Sequence, residues 1–424
     1  MKPTMRLPYV QSEPGVQAIS LFVLDGLANV LDLIFHIWMG RILIPSEFAI
    51  LQTLNSVVLV YVTDSGVFQP VVGRFVAETH GKAQTSSAAG IFQSFLRAAL
   101  WLGLVLGVLV LFFANAIAHW LNLPAWTIQV SAALIFLSSL RPVALGMLQG
   151  SENFVAIGLT RLALSLGRVV LVLVAGSGFS LAGAVVALPF GWLVSVLCAF
   201  LLIGRGVWQN TGSVHPRVLP EGWRLSFYAL LAYLAYMSLT SLDLVWVNRN
   251  LSGELAGAYA SLVLMRRIVA LLPAVAVTVM FPRVVKILAR GNSPARLLAQ
   301  TGLVIFIAGG ALSFLYFVFG ETLVYLVFGN EYQAAIPLLG WMSIAMMGIS
   351  LSSIWLNYYL AEKPRSFVIL LAIAVVLEWT FLNLLPPSLQ SAVLAFGITG
   401  WSLSIAGLFL YLVKTRTSVH HAHA

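Results

Sequence analysis

The chain has 424 residues, of which 60% are hydrophobic and only 9% charged, so it cannot clothe itself in a water-compatible surface. That excludes a soluble globular protein. The single cysteine, Cys198, excludes an intrachain disulfide and argues against a cysteine-bound metal, and the formal charge of +9 is accounted for by topology rather than by nucleic acid, as the loops show below.

Apolar runs of about 20 residues, the length that crosses a hydrocarbon core, recur along the whole chain. Residues 1–15 carry Lys2, Arg6 and prolines and lead straight into the first run, with no small-residue cleavage pattern. The expectation is therefore a retained first span. It covers 16–40 and holds Asp25 and Asp32, spaced i,i+7 on one face, with His36 one turn further. A Gly-Arg and Pro45 end it, and a second span follows over 46–73, containing Asp64 and closing on "VVGRFVAE". The third, 88–114, carries Arg97 and a Gly103-x-x-x-Gly107 packing face. The fourth, 124–149, carries Arg141 and runs into "LQGSENF"; the fifth, 153–176, carries Arg161 and Arg168, again i,i+7. After "GSGFS" comes the sixth, 180–204, and then the longest connection, about 205–222. Six more spans are expected over 223–248 (with Asp243), 255–283 (with Arg266 and Arg267), 295–319, 332–360, 365–385 (with Glu378) and 391–413. Pro124, Pro364 and the Pro386–Pro387 pair punctuate them.

With the N-terminus taken as cytoplasmic, 15 of the 23 basic residues fall on the cytoplasmic side: Lys2, Arg6, Arg74, Lys82, Arg205, Arg217, Arg224, Arg283, Lys286, Arg290, Arg296, Lys363, Arg365, Lys414 and Arg416. Only Arg41 and Arg249 fall in the opposite loops. That bias gives twelve spans with both termini inside. No G-x-x-x-x-G-K-[ST] or H-E-x-x-H occurs, and no loop carries a close pair of carboxylates, so the expectation is a transporter without chemistry of its own, not an enzyme. The "HHAHA" tail has neither Cys nor carboxylate beside it and is not read as a metal site.

The first half echoes in the second. "VLDLIFHIWMGRI" around Asp32 returns as "SLDLVWVNRNLSG" around Asp243, 211 residues on. Arg74 of "VVGRFVAE" matches Arg283 of "VMFPRVVK" at 209, Gly150 of "LQGSENF" matches Ala361 of "YLAEKPRSF" at 211, and Gly183 matches Gly400 at 217. Four words in one order at nearly one offset indicate two six-helix lobes, 1–205 and 223–424, joined by a cytoplasmic loop at 206–222. With six helices each, the repeats keep one orientation and are parallel, an arrangement in which a midplane site opens alternately to each side.

These words, with "DSGVFQPVVGRFVAE", "LPAVAVTVMFPRVVK" and "LVFGNEYQAAIPLLGWMS", resemble the multidrug/oligosaccharidyl-lipid/polysaccharide exporter superfamily, and within it polysaccharide-biosynthesis flippases of the Wzx type. The resemblance covers roughly 16–412. It implies an all-α, two-lobed, V-shaped bundle in a bacterial inner membrane. The bundle would flip a polyprenyl-diphosphate-linked oligosaccharide from the cytoplasmic to the outer leaflet, the sugar-diphosphate head passing through a central cavity while the tail stays in lipid. The partners implied are that lipid-linked substrate, membrane lipids, and a polysaccharide polymerase or glycosyltransferases; no nucleic acid is expected. The superfamily's lipid II flippases usually have fourteen helices and its drug antiporters twelve. Two alternatives remain open, an ion-coupled organic-cation antiporter and a membrane polymerase or ligase.

Charges inside spans are costly and mark cavities or partners. The candidate substrate-binding residues are Arg141, Arg161, Arg168, Arg266 and Arg267, since guanidinium forks suit a diphosphate. Arg141 and Arg161 would lie at one depth, roughly 12 Å inside the cytoplasmic end. Arg266 and Arg267 project about 100° apart, so one would face a cavity and the other would pair with Asp243. The second reading for every arginine is neutralisation of a carboxylate, or snorkelling, as for Arg97. Asp25, Asp32, Asp64, Asp243 and Glu378 are candidates for H⁺ or Na⁺ coupling, with Asp–Arg pairing as the other reading; no cofactor is expected.

Overall fold

A computed structural model describes residues 14–66, 68–79, 87–175, 180–204, 207, 218–290, 292–362 and 365–422. The described residues are helical with no strand, as an apolar chain in lipid must be if every backbone group is to find its partner internally. The helices are α1 (Pro14–Ile42), α2 (Pro45–Gly66), α3 (Phe68–Glu78), α4 (Ala88–Phe112), the short α5 (Ala114–Leu121), α6 (Ala125–Gly150), α7 (Phe154–Ala175), α8 (Leu181–Ile203), α9 (Val218–Leu239), α10 (Leu242–Asn250), α11 (Gly253–Ala289) and α12 (Ala295–Val327). A 3-10 turn, Asn330–Leu338, then precedes α13 (Leu339–Glu362), α14 (Arg365–Leu384) and α15 (Leu389–Ala422). Among the described residues, ten helices are long and apolar enough to cross a membrane, eleven if a bent pair is one span. The chain is a multi-pass membrane protein.

Local chemistry sets several ends. Ser87 accepts from the N–H of Gly90 at 3.0 Å to start α4, and Asn122, at φ 56°, closes α5 in the left-handed region that asparagine tolerates. One expected span is broken. The span 46–73 runs over α2 and into α3, with residue 67 outside the described residues, and the span 223–248 is formed by α9 and α10, which meet at a 43° bend. No glycine or proline lies at that break. A tertiary contact holds it instead: the Thr240 carbonyl, freed from the helical ladder, accepts from Arg266 Nη2 at 2.7 Å.

The chain divides into two compact units, one of residues 1–43 and 54–234, the other of Ile44–Thr53 with 235–424. The expected division lay in the 206–222 loop. The observed one runs through the seventh expected span, between 234 and 235, just ahead of its bend, and assigns the start of α2 to the second unit.

In the first unit α6 is central, packing on α3, α4 and α8, while α7 packs on α1 and α8. The core between α3, α4 and α6 holds Val72, Val76, Phe92, Phe95, Ala144 and Leu148. The approach of α3 to α6 depends on missing side chains: a Cβ at Gly146 or Gly150 would stand 2.6 Å from that of Val72 or Val76. In the second unit α13 packs on α11, α12 and α15, and α14 packs on α15 and α10. The Phe48 ring belongs here, 6.0 Å from both Phe328 and Tyr332, and a Cβ at Gly257 would strike the Pro45 carbonyl at 2.3 Å.

Candidate functional site

Among the described residues, each unit carries one cluster of intramembrane charge. In the first, α1 and α7 run parallel and are laced at sequence steps of 136 or 137. Arg161 Nη1 donates to Asp25 at 2.8 Å, Ser165 Oγ to the Ala28 carbonyl at 2.9 Å, and Arg168 Nη1 to Asp32 at 2.5 Å. Both i,i+7 stripes thus face one another. A glycine sets the spacing: a Cβ at Gly158 would meet the Leu24 Cβ at 2.7 Å, one residue before Asp25. On the other side of α7, the missing side chain of Gly191 on α8 makes room for Arg168, whose Cγ lies 2.7 Å from where a Cβ would be. His36 Nε2 lies 3.7 Å from Asp32, and the Phe35 ring centroid 5.9 Å from the Arg168 guanidinium carbon.

The three arginines of this cluster differ in what they have left to offer. Arg168 is 7% exposed and bound to Asp32, the state of a structural ion pair. Arg161 is 46% exposed and bound through one nitrogen to Asp25, which is 25% exposed. Arg141, from α6, has no carboxylate partner among the described residues. Its Nε donates to Ser195 Oγ at 2.8 Å, and the Ser195 hydroxyl donates in turn to the Thr160 carbonyl at 2.7 Å. The guanidinium carbon sits 5.2 Å from the Trp192 ring centroid, a cation–π arrangement. The Nε anchor and the indole orient the fork while leaving its two terminal nitrogens for another acceptor. Arg161 and Asp25 are close enough to Arg141 to act on it electrostatically. Among the described residues, three arginines against two aspartates leave one formal positive charge in excess.

The second cluster has the opposite balance. Asp243, in the first turn of α10, accepts from Arg266 through both oxygens, from Nη2 at 3.0 Å and from Nη1, and also from Tyr259 Oη at 2.7 Å. Arg266 is 3% exposed, further bound to the Thr240 carbonyl, and stacked 4.2 Å from the Phe396 ring. It has nothing left for a ligand. Of the adjacent pair, Arg266 is thus the one that meets Asp243, and Arg267 lies at intermediate exposure. Glu378 on α14 is fully buried within electrostatic range of Asp243 and Arg266, and neither of its oxygens has a hydrogen-bond partner among the described residues. Two carboxyls share one guanidinium.

The lacing step of the first unit recurs here, since Trp246 Nε1 on α10 donates to Asn383 on α14 at 3.4 Å with the same separation as Ala28 and Ser165. The residue that the Asp32–Arg168 step would set against Asp243 is Trp379; its neighbour Glu378 lies within electrostatic range of Asp243, and the arginine comes from α11. Of the remaining candidate, Asp64, the helix position in α2 is described but its side chain lies outside the described residues. Sequence reasoning missed Ser195, Trp192, Tyr259 and Phe396. The lone hydroxyl of Ser195 in an apolar helix was the one available signal. Among the described residues no group of three His, Cys, Asp or Glu could hold a metal ion.

The fold has known counterparts. A multidrug resistance MATE family transporter of the MOP superfamily in its inward-facing conformation superposes with a TM-score of 0.73 at 16% identity, covering 97% of this chain and 100% of that one. The lipid II flippase MurJ in an inward closed conformation gives 0.71 at 13% identity, over 93% of this chain and 87% of that one. An outward-facing MATE transporter gives 0.61 at 17% identity, over 100% of both chains. These likenesses establish the fold. No curated protein matches in sequence. The family described as "Polysaccharide biosynthesis protein" matches residues 16–288, well over half of the sequence. The chain belongs to that polysaccharide biosynthesis family and has the transporter fold of the MOP superfamily.

Proposed function

We propose that the protein is a flippase that carries a polyprenyl-diphosphate-linked oligosaccharide from the cytoplasmic to the outer leaflet of a bacterial plasma membrane by alternating access. Its termini lie in the cytoplasm, and glycosyltransferases supply its substrate while a polysaccharide polymerase consumes it. The observation that carries this reading is the first-unit cluster: the Arg141 fork, oriented by Ser195 and Trp192 and bound to no carboxylate among the described residues, beside the half-exposed Arg161. A diphosphate offers several anionic oxygens, and a planar fork takes two of them at once. Family membership supports the same substrate class.

The test is the fate of the lipid-linked sugar in a strain lacking the protein. The cytoplasm-facing intermediate should accumulate, and Arg141→Ala should fail to relieve it, while Arg97→Ala should complement like the natural protein. A hydrogen bond to a charged group contributes about 1.5–3 kcal/mol, so the Arg141 change should lower transport roughly ten- to a hundredfold. Absence of accumulation, or full complementation by Arg141→Ala, would sink the reading.

The excess carboxylate of the second cluster supports ion coupling at Glu378, with Asp243 held by Arg266 as its fixed neighbour. In this reading Glu378 alternately holds and releases a proton, and Glu378→Gln uncouples flipping from the proton gradient. Flipping in proteoliposomes that stays gradient-dependent in Glu378→Gln refutes it. The same carboxyl would serve an organic-cation antiporter, so binding of a lipophilic cation that Glu378→Gln abolishes, without diphosphate binding, favours that alternative.

A further inference from the structure

We infer that Asp25 is a built-in occupant of the headgroup site, which a diphosphate displaces from Arg161, so that the diphosphate and a proton bind together. This rests on the headgroup reading of Arg141 and Arg161 given above.

Three observations lead there. Among the described residues, the hydrogen bond of Arg161 is with Asp25, at 2.8 Å through Nη1, and the side chain is otherwise half open to its surroundings. The other Asp25 oxygen, Oδ1, is buried and has no hydrogen-bond partner among the described residues. The α1–α7 contact at Leu24 and Gly158 on one side of the pair and the Ser165–Ala28 hydrogen bond on the other hold the two helices together, so Asp25 cannot follow its partner if Arg161 swings away. Thus when a phosphate oxygen takes Nη1, Asp25 is left as a carboxylate with one oxygen already orphaned and no cation bound to it.

Charge counting gives the sign. Among the described residues, the charged groups facing Asp25 are Arg161 from α7 and Arg141 from α6, with the Arg168–Asp32 pair and its neighbour His36 further along. Unliganded, the cluster is one charge positive. A diphosphate makes it net negative, where an additional unpaired carboxylate is costly at low dielectric. Taking a proton from water onto Asp25 removes that cost. Loss of that proton restores the carboxylate, which reclaims Arg161 and expels the diphosphate. Linkage then requires that protons and diphosphate promote one another's binding.

The test uses the full-length protein in detergent, with farnesyl diphosphate as probe, titrated calorimetrically in two buffers of different ionisation heat. The proton count of the natural protein is compared with that of Asp25→Asn at the same pH, which cancels the probe's own ionisation and that of His36. The natural protein should take up about one proton more per probe bound. Its affinity should fall as pH rises, whereas Asp25→Asn should bind severalfold more tightly at pH 8 with a flatter profile. Asp25→Ser is the second variant, and each is first checked for an unchanged tryptophan-fluorescence melting curve. Weaker binding in whichever variant is folded, or equal proton counts, overturns the inference while leaving the headgroup reading standing. No probe binding by the natural protein overturns both.

Discussion

Arg266 and Arg141 are chemically identical and do opposite things, because one is spent inside the protein and the other is not. The Arg266 fork is consumed by Asp243, the Thr240 carbonyl and the Phe396 ring. Removing it strands Asp243 in a fully buried place and leaves the α9–α10 bend without its donor. Breaking a buried pair from one side costs about 3–5 kcal/mol, so Arg266→Ala should lower the melting temperature in detergent sharply. The double change with Asp243→Asn should recover part of the loss. If the single variant melts like the natural protein, the pair is not holding the unit together. The sequence displayed all these charges, and the i,i+7 stripes Asp25–Asp32 and Arg161–Arg168 were both legible in it. That the stripes face each other was not legible, because a spacing within one helix says nothing about which neighbour it meets. The status of Arg141 was hidden for the same reason, since its anchors Ser195 and Trp192 lie on another helix.

At the scale of elements, glycine decides which helices come close enough for charge to matter. Gly158 lets α7 approach α1 at Leu24, three residues before Arg161. Gly158→Val would push the two helices apart at the level of the Asp25–Arg161 pair, costing about 1–3 kcal/mol by overpacking. It should weaken transport more than stability, whereas Gly310→Val, at a site where a Cβ meets nothing within 4 Å, should alter neither. Flipping assays alongside thermal melts check this, and equal behaviour of the two variants contradicts it. Helix positions follow apolar length and turn residues, which is why α6, α7 and α8 begin and end within a residue or two of the expected spans. The α9–α10 bend escaped that reading because residues 239–242 contain no breaker and the supporting contact is 26 residues away in α11.

For the molecule as a whole, composition carried the membrane assignment, since so few charges over so long a chain leave lipid as the only compatible solvent. The boundary between the two compact units was not legible in the sequence, because the contacts that draw it are tertiary. Ile44–Thr53 is the telling case. Ten residues from the first half of the chain sit in the second unit, where Phe48 lies against Phe328 and Tyr332 and Pro45 fills the space that Gly257 leaves open. The chain can therefore be cut between α8 and α9, but the fold cannot. A protein severed there would yield a carboxyl-terminal fragment with an empty aromatic socket, and a ribosome that has finished the first half has made a part whose seat does not yet exist. Assembly of the second unit must wait for, and then capture, a piece of chain synthesised some two hundred residues earlier.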